Sequence, residues 1–284
     1  MPERDGYIAG VPCWVDTSQP DPDAAAAFYG GLFGWEVEDA MPPGAGAKYL
    51  VARLRGGAVA AISSQMDASE PVGWNTYVWV ESADETAAKV RDAGGAVLTE
   101  PFDVFDAGRM AVFADNVGAV ISVWEAKEHR GARIVNEHGA VNFNVLATGD
   151  LDGARRFYNA VFGWETFDLP AGKAWTLPGY GDYLEQLTPG LRARTAEFGV
   201  PGFEDVVAAF NPIPADDTGT PAGWSVTFGT DDADATAERA VVLGGEVVVL
   251  PFDGPFVRMT VLRDPQGATF TASQFVPENR DLAS

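Results

Sequence analysis

Three stretches of this 284-residue chain occur twice, and that duplication limits the fold more than any other feature. Residues 21–35 read DPDAAAAFYGGLFGW and residues 150–164 read DLDGARRFYNAVFGW, so FY-x-x-x-FGW returns at an offset of 129. Downstream, residues 73–103 (GWNTYVWVESADETAAKVRDAGGAVLTEPFD) match 223–253 (GWSVTFGTDDADATAERAVVLGGEVVVLPFD) at an offset of 150, and RMAVFADNVGAVISV (109–123) matches RMTVLRDPQGATFTA (258–272) at 149. Ordered blocks at nearly constant offset predict two homologous domains, 6–128 and 136–277. The change in offset places an insertion in the second, at about 178–204.

Both copies show the same order of elements. A strand over Val11–Asp16 (Val141–Leu146 in the second copy) precedes a helix opened by Asp21 with Pro22 at its first position, or by Asp150. Phe28, Leu32 and Phe33 have helical spacing. Tyr49–Leu54 and Ala58–Ile62 alternate as antiparallel strands do. A strand at Asn75–Val80 leads to a second helix, with Ser82 and Glu85 as a capping box and Gly94-Gly95 as its stop, and short strands follow to Trp124. Each copy therefore reads as two β-α-β-β-β modules, an α+β fold.

Composition narrows the partners. Forty-one acidic and nineteen basic residues give a net charge of −22, which repels phosphate backbones and anionic lipid, so neither nucleic acid nor membrane is expected as a partner. With Cys13 alone, no intramolecular disulfide and no cysteine zinc cluster can form. The start of the chain has no signal-peptide core and no apolar run reaches about 18 residues, which reads as a cytoplasmic protein. A homodimer is compatible with the sequence.

The module order, with FYxxxFGW on the first helix and a D-x-x-G turn before the last strand, resembles the vicinal oxygen chelate superfamily of glyoxalase I, bleomycin-resistance proteins and extradiol dioxygenases. It is most similar to the two-domain glyoxalase-like "hydroxylase" type. The resemblance covers nearly the whole chain and implies four βαβββ modules forming curved mixed sheets. That fold serves several chemistries, so function has to be argued from the site. The superfamily's enzymes hold a divalent metal at set strand positions. Here the resemblance puts Trp14, Asn75 and Ser122 at those positions in the first domain, and Phe143, Ser225 and Thr271 in the second. None supplies the carboxylate or imidazole a divalent ion needs, so no metal and no cofactor is expected.

Strand alternation puts Trp14 with Asp16 on one face, Asn75 with Tyr77 and Trp79, and Ser122 with Trp124. Facing one cavity, these would suit a flat aromatic ligand. Asp16 is the candidate polar anchor or general base, since a carboxylate is costly to bury unpaired. Tyr180, Tyr183 and Phe198 of the insertion could cover the ligand as a lid. Cys13 is expected to pack as a small hydrophobe on the opposite side. His129 and His138 are expected in a solvated linker, the glycine pairs as helix terminators, and Arg109 and Arg258 paired with Asp115 and Asp264. The function expected first is metal-independent binding of a bulky aromatic small molecule, for drug sequestration or natural-product biosynthesis. The alternative is a metal-free tailoring enzyme using acid–base chemistry or cofactor-free oxygenation, and a glyoxalase-type lyase ranks below both.

Overall fold

A computed structural model describes residues 3–169, 172–196, 200, 202–217 and 219–283. The first half contains β1 (Pro12–Gln19), α1 (Pro22–Phe33), β2 (Glu36–Asp39), β3 (Tyr49–Leu54), β4 (Gly57–Ser64), β5 (Trp74–Trp79), α2 (Ala83–Asp92), β6 (Ala96–Val104), β7 (Gly108–Ala114) and β8 (Val120–Ala126). The second half contains β9 (Val141–Thr148), α3 (Leu151–Phe162), β10 (Glu165–Leu169), β11 (Gly172–Thr176), α4 (Tyr180–Leu187), α5 (Leu191–Ala196), β12 (Val206–Pro212), β13 (Gly223–Gly229), α6 (Ala233–Val242), β14 (Glu246–Gly254), β15 (Val257–Arg263) and β16 (Thr269–Phe275). Each half forms one eight-stranded mixed sheet, in the orders β2-β3-β4-β1-β5-β8-β7-β6 and β10-β11-β12-β9-β13-β16-β15-β14. This is the α+β fold of paired βαβββ modules.

Local chemistry sets the helix ends. The Asp21 carboxylate accepts the Ala24 N–H at 3.0 Å, Pro22 opens α1, and Gly34 closes it at φ +74°. Asp150 and Gly163 do the same for α3. Ser82 caps α2 through the Glu85 N–H.

The two halves do not keep separate cores. One apolar cluster joins Phe28, Tyr29 and Phe33 of α1 to Val226, Phe228 and Phe270 of the second sheet, with Ala237 and Ala240 of α6. The other joins Phe157, Tyr158 and Phe162 of α3 to Val78, Phe113 and Ile121 of the first sheet, with Ala87 and Val90 of α2. The helix-bearing faces of the sheets thus face one another, and Thr76 of β5 donates across to Asn144 of β9 at 2.9 Å.

The repeated motifs lie at this junction. Tyr29 donates to Asp264 at 2.9 Å and Tyr158 to Asp115 at 3.0 Å, each phenol reaching the D-x-x-G turn of the other half. The Trp35 indole donates to the Gly139 carbonyl and the Trp164 indole to that of Gly10, both at 2.7 Å. Gly94 and Gly244 end their helices with positive φ, as terminators do. Gly95 and Gly245 have a second role: a Cβ there would lie 2.6 Å from the Phe157 ring and 3.0 Å from the Phe28 ring.

The arginine pairing differs from the expected one. Arg109 binds Asp84 and Asp103, and Arg258 binds Asp234 and Asp253. Each arginine lies directly across from an aspartate of the neighbouring edge strand, whereas Asp115 and Asp264 are buried under the opposite half.

The β3–β4 hairpin turns on Arg55 and Gly56, where the β11–β12 connection instead carries α4 and α5. No helix among the described residues is long and apolar enough to cross a membrane.

Candidate functional site

The face of the first sheet turned away from α1 and α2 gathers its side chains by register. Asp16 pairs across β1–β5 with Asn75, and Trp14 with Tyr77. Tyr77 lies beside Ser122, and Trp79 beside Trp124, on β5 and β8. All seven residues that alternation had placed on shared faces therefore meet on this one. Asp16 is 4% exposed, as are Trp14 and Ser122, and Tyr77, Trp79 and Trp124 reach at most 9%. Asn75 is half-buried.

At the centre is a buried carboxylate with three donors. Asp16 Oδ1 accepts from Asn75 Nδ2 at 2.9 Å, while Oδ2 accepts from the Tyr77 phenol at 2.9 Å and the Tyr49 phenol at 3.1 Å. The Trp14 indole in turn donates to the Tyr49 oxygen at 3.0 Å. Burial pushes the Asp16 carboxyl up, against the pull of its three hydrogen bonds. Burial, and then the Asp16 charge, hold both phenols well above their ordinary range, so they stay protonated and donate.

The second half is an internal control. Val145, Ser225, Thr227 and Thr271 occupy the register positions of Asp16, Asn75, Tyr77 and Ser122. That face has no corresponding carboxylate, and Ser225 is exposed there. The interlocking Tyr–Asp and Trp–carbonyl bonds occur in both halves, while the Asp16 cluster occurs in one. The former belong to the architecture the halves share, the latter to the first half alone.

The first face is covered by the chain itself. The His129 ring stands edge-on to Trp14 with centroids 4.4 Å apart, and 5.6 Å from Trp124. This overturns the solvated-linker expectation, because after β8 the chain turns back over the sheet: His129 N donates to Ala107 O, and Trp124 Nε1 to His129 O. Burial, with Arg53 nearby, lowers the His129 pKa to about 4. Tyr7 packs on Trp79 and donates to Ala132 O at 2.6 Å. Arg4, itself buried, lies over the Tyr7 ring at 4.9 Å and donates to the Tyr180 hydroxyl at 2.8 Å. Tyr183 donates to Gly6 O at 3.0 Å.

Tyr180 and Tyr183 thus hold the N-terminal strap and make no hydrogen bond with the Asp16 cluster, and Phe198 lies outside the described residues. Cys13 packs with Tyr7 and Trp14 as a small hydrophobe, in the same apolar cluster as Trp14 rather than an opposite one, where β1 bulges between Pro12 and Trp14. His138 accepts from the Asp231 N–H at the surface. A groove of about 470 Å³ lies elsewhere, between α3 and β10–β11, lined by Asp152, Arg155, Arg156 and Trp164.

Tyr49, His129, Arg4 and Tyr7 escaped sequence reasoning. Tyr49 lies on the predicted strand, but its reach to Asp16 depends on the register of β3 against β4. The other three come from segments outside the repeat.

The donors do not fit a divalent ion. The described residues hold no group of three or more His, Cys, Asp or Glu side chains placed to share one. Asp16 is already engaged by three donors, and its phenol partners are held neutral.

Comparison with known proteins agrees with the architecture. Residues 14–123 match the model of the Glyoxalase/Bleomycin resistance protein/Dioxygenase superfamily, and residues 143–273 that of the Glyoxalase-like domain. A protein of Mycobacterium tuberculosis named "Putative glyoxylase CFP32" is 40% identical over 98% of this chain and all of its own length. The anthracycline biosynthesis protein DnrV of Streptomyces peucetius is 36% identical over 93% of each chain. Among solved structures, the Mn(II)-bound glyoxalase from Novosphingobium aromaticivorans superposes with a TM-score of 0.60 at 15% identity, covering 94% of this chain and 82% of its own. A catechol 2,3-dioxygenase gives 0.56 at 14%, covering 95% and 89%. At such identities the structures share the fold alone.

Proposed function

The chain belongs to the glyoxalase/bleomycin resistance protein/dioxygenase superfamily, and on that premise we propose that it binds a bulky aromatic small molecule, without a metal ion, on the face of the first sheet turned away from α1 and α2. The observation that carries this reading is the Asp16 cluster, present in the first half and replaced by Val145, Ser225 and Thr227 in the second. A buried anion with no cation among its hydrogen-bond partners is expensive, and the second half builds the same sheet without it. Trp14, Tyr77, Trp79 and Trp124 supply stacking surface around it. The strap and α4 lie over this face, so a ligand reaches it only if they move aside. The likeness to DnrV, named for anthracycline biosynthesis, supports a ligand with fused aromatic rings and an accessory role in making or sequestering an aromatic natural product.

A second reading is favoured by the raised pKa of Asp16 beside two phenols: a tailoring enzyme in which Asp16 is the general base. Tryptophan fluorescence titration with an anthracycline, beside a product assay, tests both. Trp14→Ala should weaken binding at least about tenfold. Asp16→Asn should cost a binder affinity alone, but an enzyme its turnover with the complex retained. Saturation unchanged in Trp14→Ala and Trp79→Ala would place the ligand elsewhere.

A further inference from the structure

We infer that His129 is the specificity-determining group of this face, its Nε2 accepting a hydrogen bond from a hydroxyl on the aromatic ligand. The inference rests on the binding reading above and narrows the ligand to planar aromatics that carry a phenolic hydroxyl.

His129 Nε2 is buried and has no hydrogen-bond partner in the protein. An imidazole nitrogen removed from water without replacement destabilises the fold, so its retention calls for a reason. Two backbone hydrogen bonds, to Ala107 O and from Trp124 Nε1, fix the residue in place, and its ring stands between Trp14 and Trp124, where a stacked ligand would lie. The Asp16 carboxylate has less acceptor capacity left for this purpose, because Asn75, Tyr77 and Tyr49 already donate to it. With a pKa of about 4, the imidazole is neutral at physiological pH and one ring nitrogen can accept. A site that pairs a buried acceptor with a ligand hydroxyl discriminates against the analogue lacking it, whose binding leaves the acceptor unpaired.

The test compares 2-hydroxyanthraquinone with anthraquinone by tryptophan fluorescence. Wild-type protein should prefer the hydroxylated probe by at least about tenfold. His129→Phe keeps a flat ring between the tryptophans and should reduce the preference to within about twofold, by weakening the hydroxylated probe alone. A preference that survives His129→Phe overturns the inference and leaves the binding reading intact. If neither probe binds wild-type protein, the binding reading fails and this inference with it. Should His129→Phe not fold, wild-type protein labelled with nitrogen-15 histidine decides, since the chain has two histidines. The hydroxylated probe should shift one imidazole Nε2 resonance, and an unmoved pair at saturating fluorescence overturns the inference.

Discussion

The Tyr29 phenol and the Asp264 carboxylate, 2.9 Å apart, bind the first helix of one half to the last turn of the other, and Tyr158 with Asp115 repeats the bond in the opposite direction. Trp74 and Trp224 donate to the two phenol oxygens, so each phenol bridges an indole and a carboxylate. Tyr29→Phe removes the donor to a buried carboxylate and the acceptor of a buried indole, and should cost about 1–3 kcal/mol in urea denaturation. Because both cores span the halves, the full chain should unfold in one transition, and residues 6–128 expressed alone should show none. A cooperative melt of that fragment would show that the halves fold independently.

Asp16 responds to pH through its burial. Its folded pKa lies above the ordinary carboxylate value, so the stability it contributes is present at low pH and is lost as pH rises through the folded pKa. Asp16→Asn does not ionise and keeps an acceptor for a phenol. Its urea midpoint should therefore gain on wild type as pH rises from about 4, until the folded carboxyl has ionised. A constant difference across that range would show that the carboxylate titrates as an exposed one.

His129 acts in the other direction. Burial, then Arg53, lowers its folded pKa from 6.5 to about 4, so the unfolded chain takes up a proton that the native chain refuses. Stability should fall as pH drops from about 6.5 to about 4, by up to about 3 kcal/mol, and this group adds nothing further below that. His129→Phe should flatten the profile in that window, which urea midpoints at several pH values will show.

Divalent metal should leave the melting temperature unchanged. A ligand of the native state present at a hundred times its Kd stabilises by about 2.7 kcal/mol, which is easily seen for Mn(II) or Zn(II). A shift of that size, or one metal ion per chain after mild purification, would require a donor set other than the one at Trp14, Asn75 and Ser122.

Replacing 178–204 with a short Gly-Ser turn should leave both sheets folded, since the first half closes the same hairpin on two residues and each doubling of loop length costs only about 0.6 kcal/mol. The strap loses Tyr180 and Tyr183, so amide hydrogen exchange should rise across residues 4–11 while β1 and β5 stay protected. Loss of protection throughout would make the segment part of the core.

The repeat, the capped helices and the period-two strands were legible in the chain because they are written in neighbouring residues, and the same pattern put Trp14 with Asp16, and Asn75 with Tyr77 and Trp79, on shared faces. The Asp16 cluster was legible only in part. Tyr49 completes it through a cross-strand register that a single strand's sequence does not encode. The meaning of FYxxxFGW, the second glycine of each pair and the D-x-x-G aspartate was decided by tertiary structure, since each finds its partner more than forty residues away in the other half. The same holds for Arg4, Tyr7 and His129. They belong to segments without periodicity, and what brings them onto the first face is a set of hydrogen bonds to Ala132, Tyr180 and Ala107, which lie far from them in the chain.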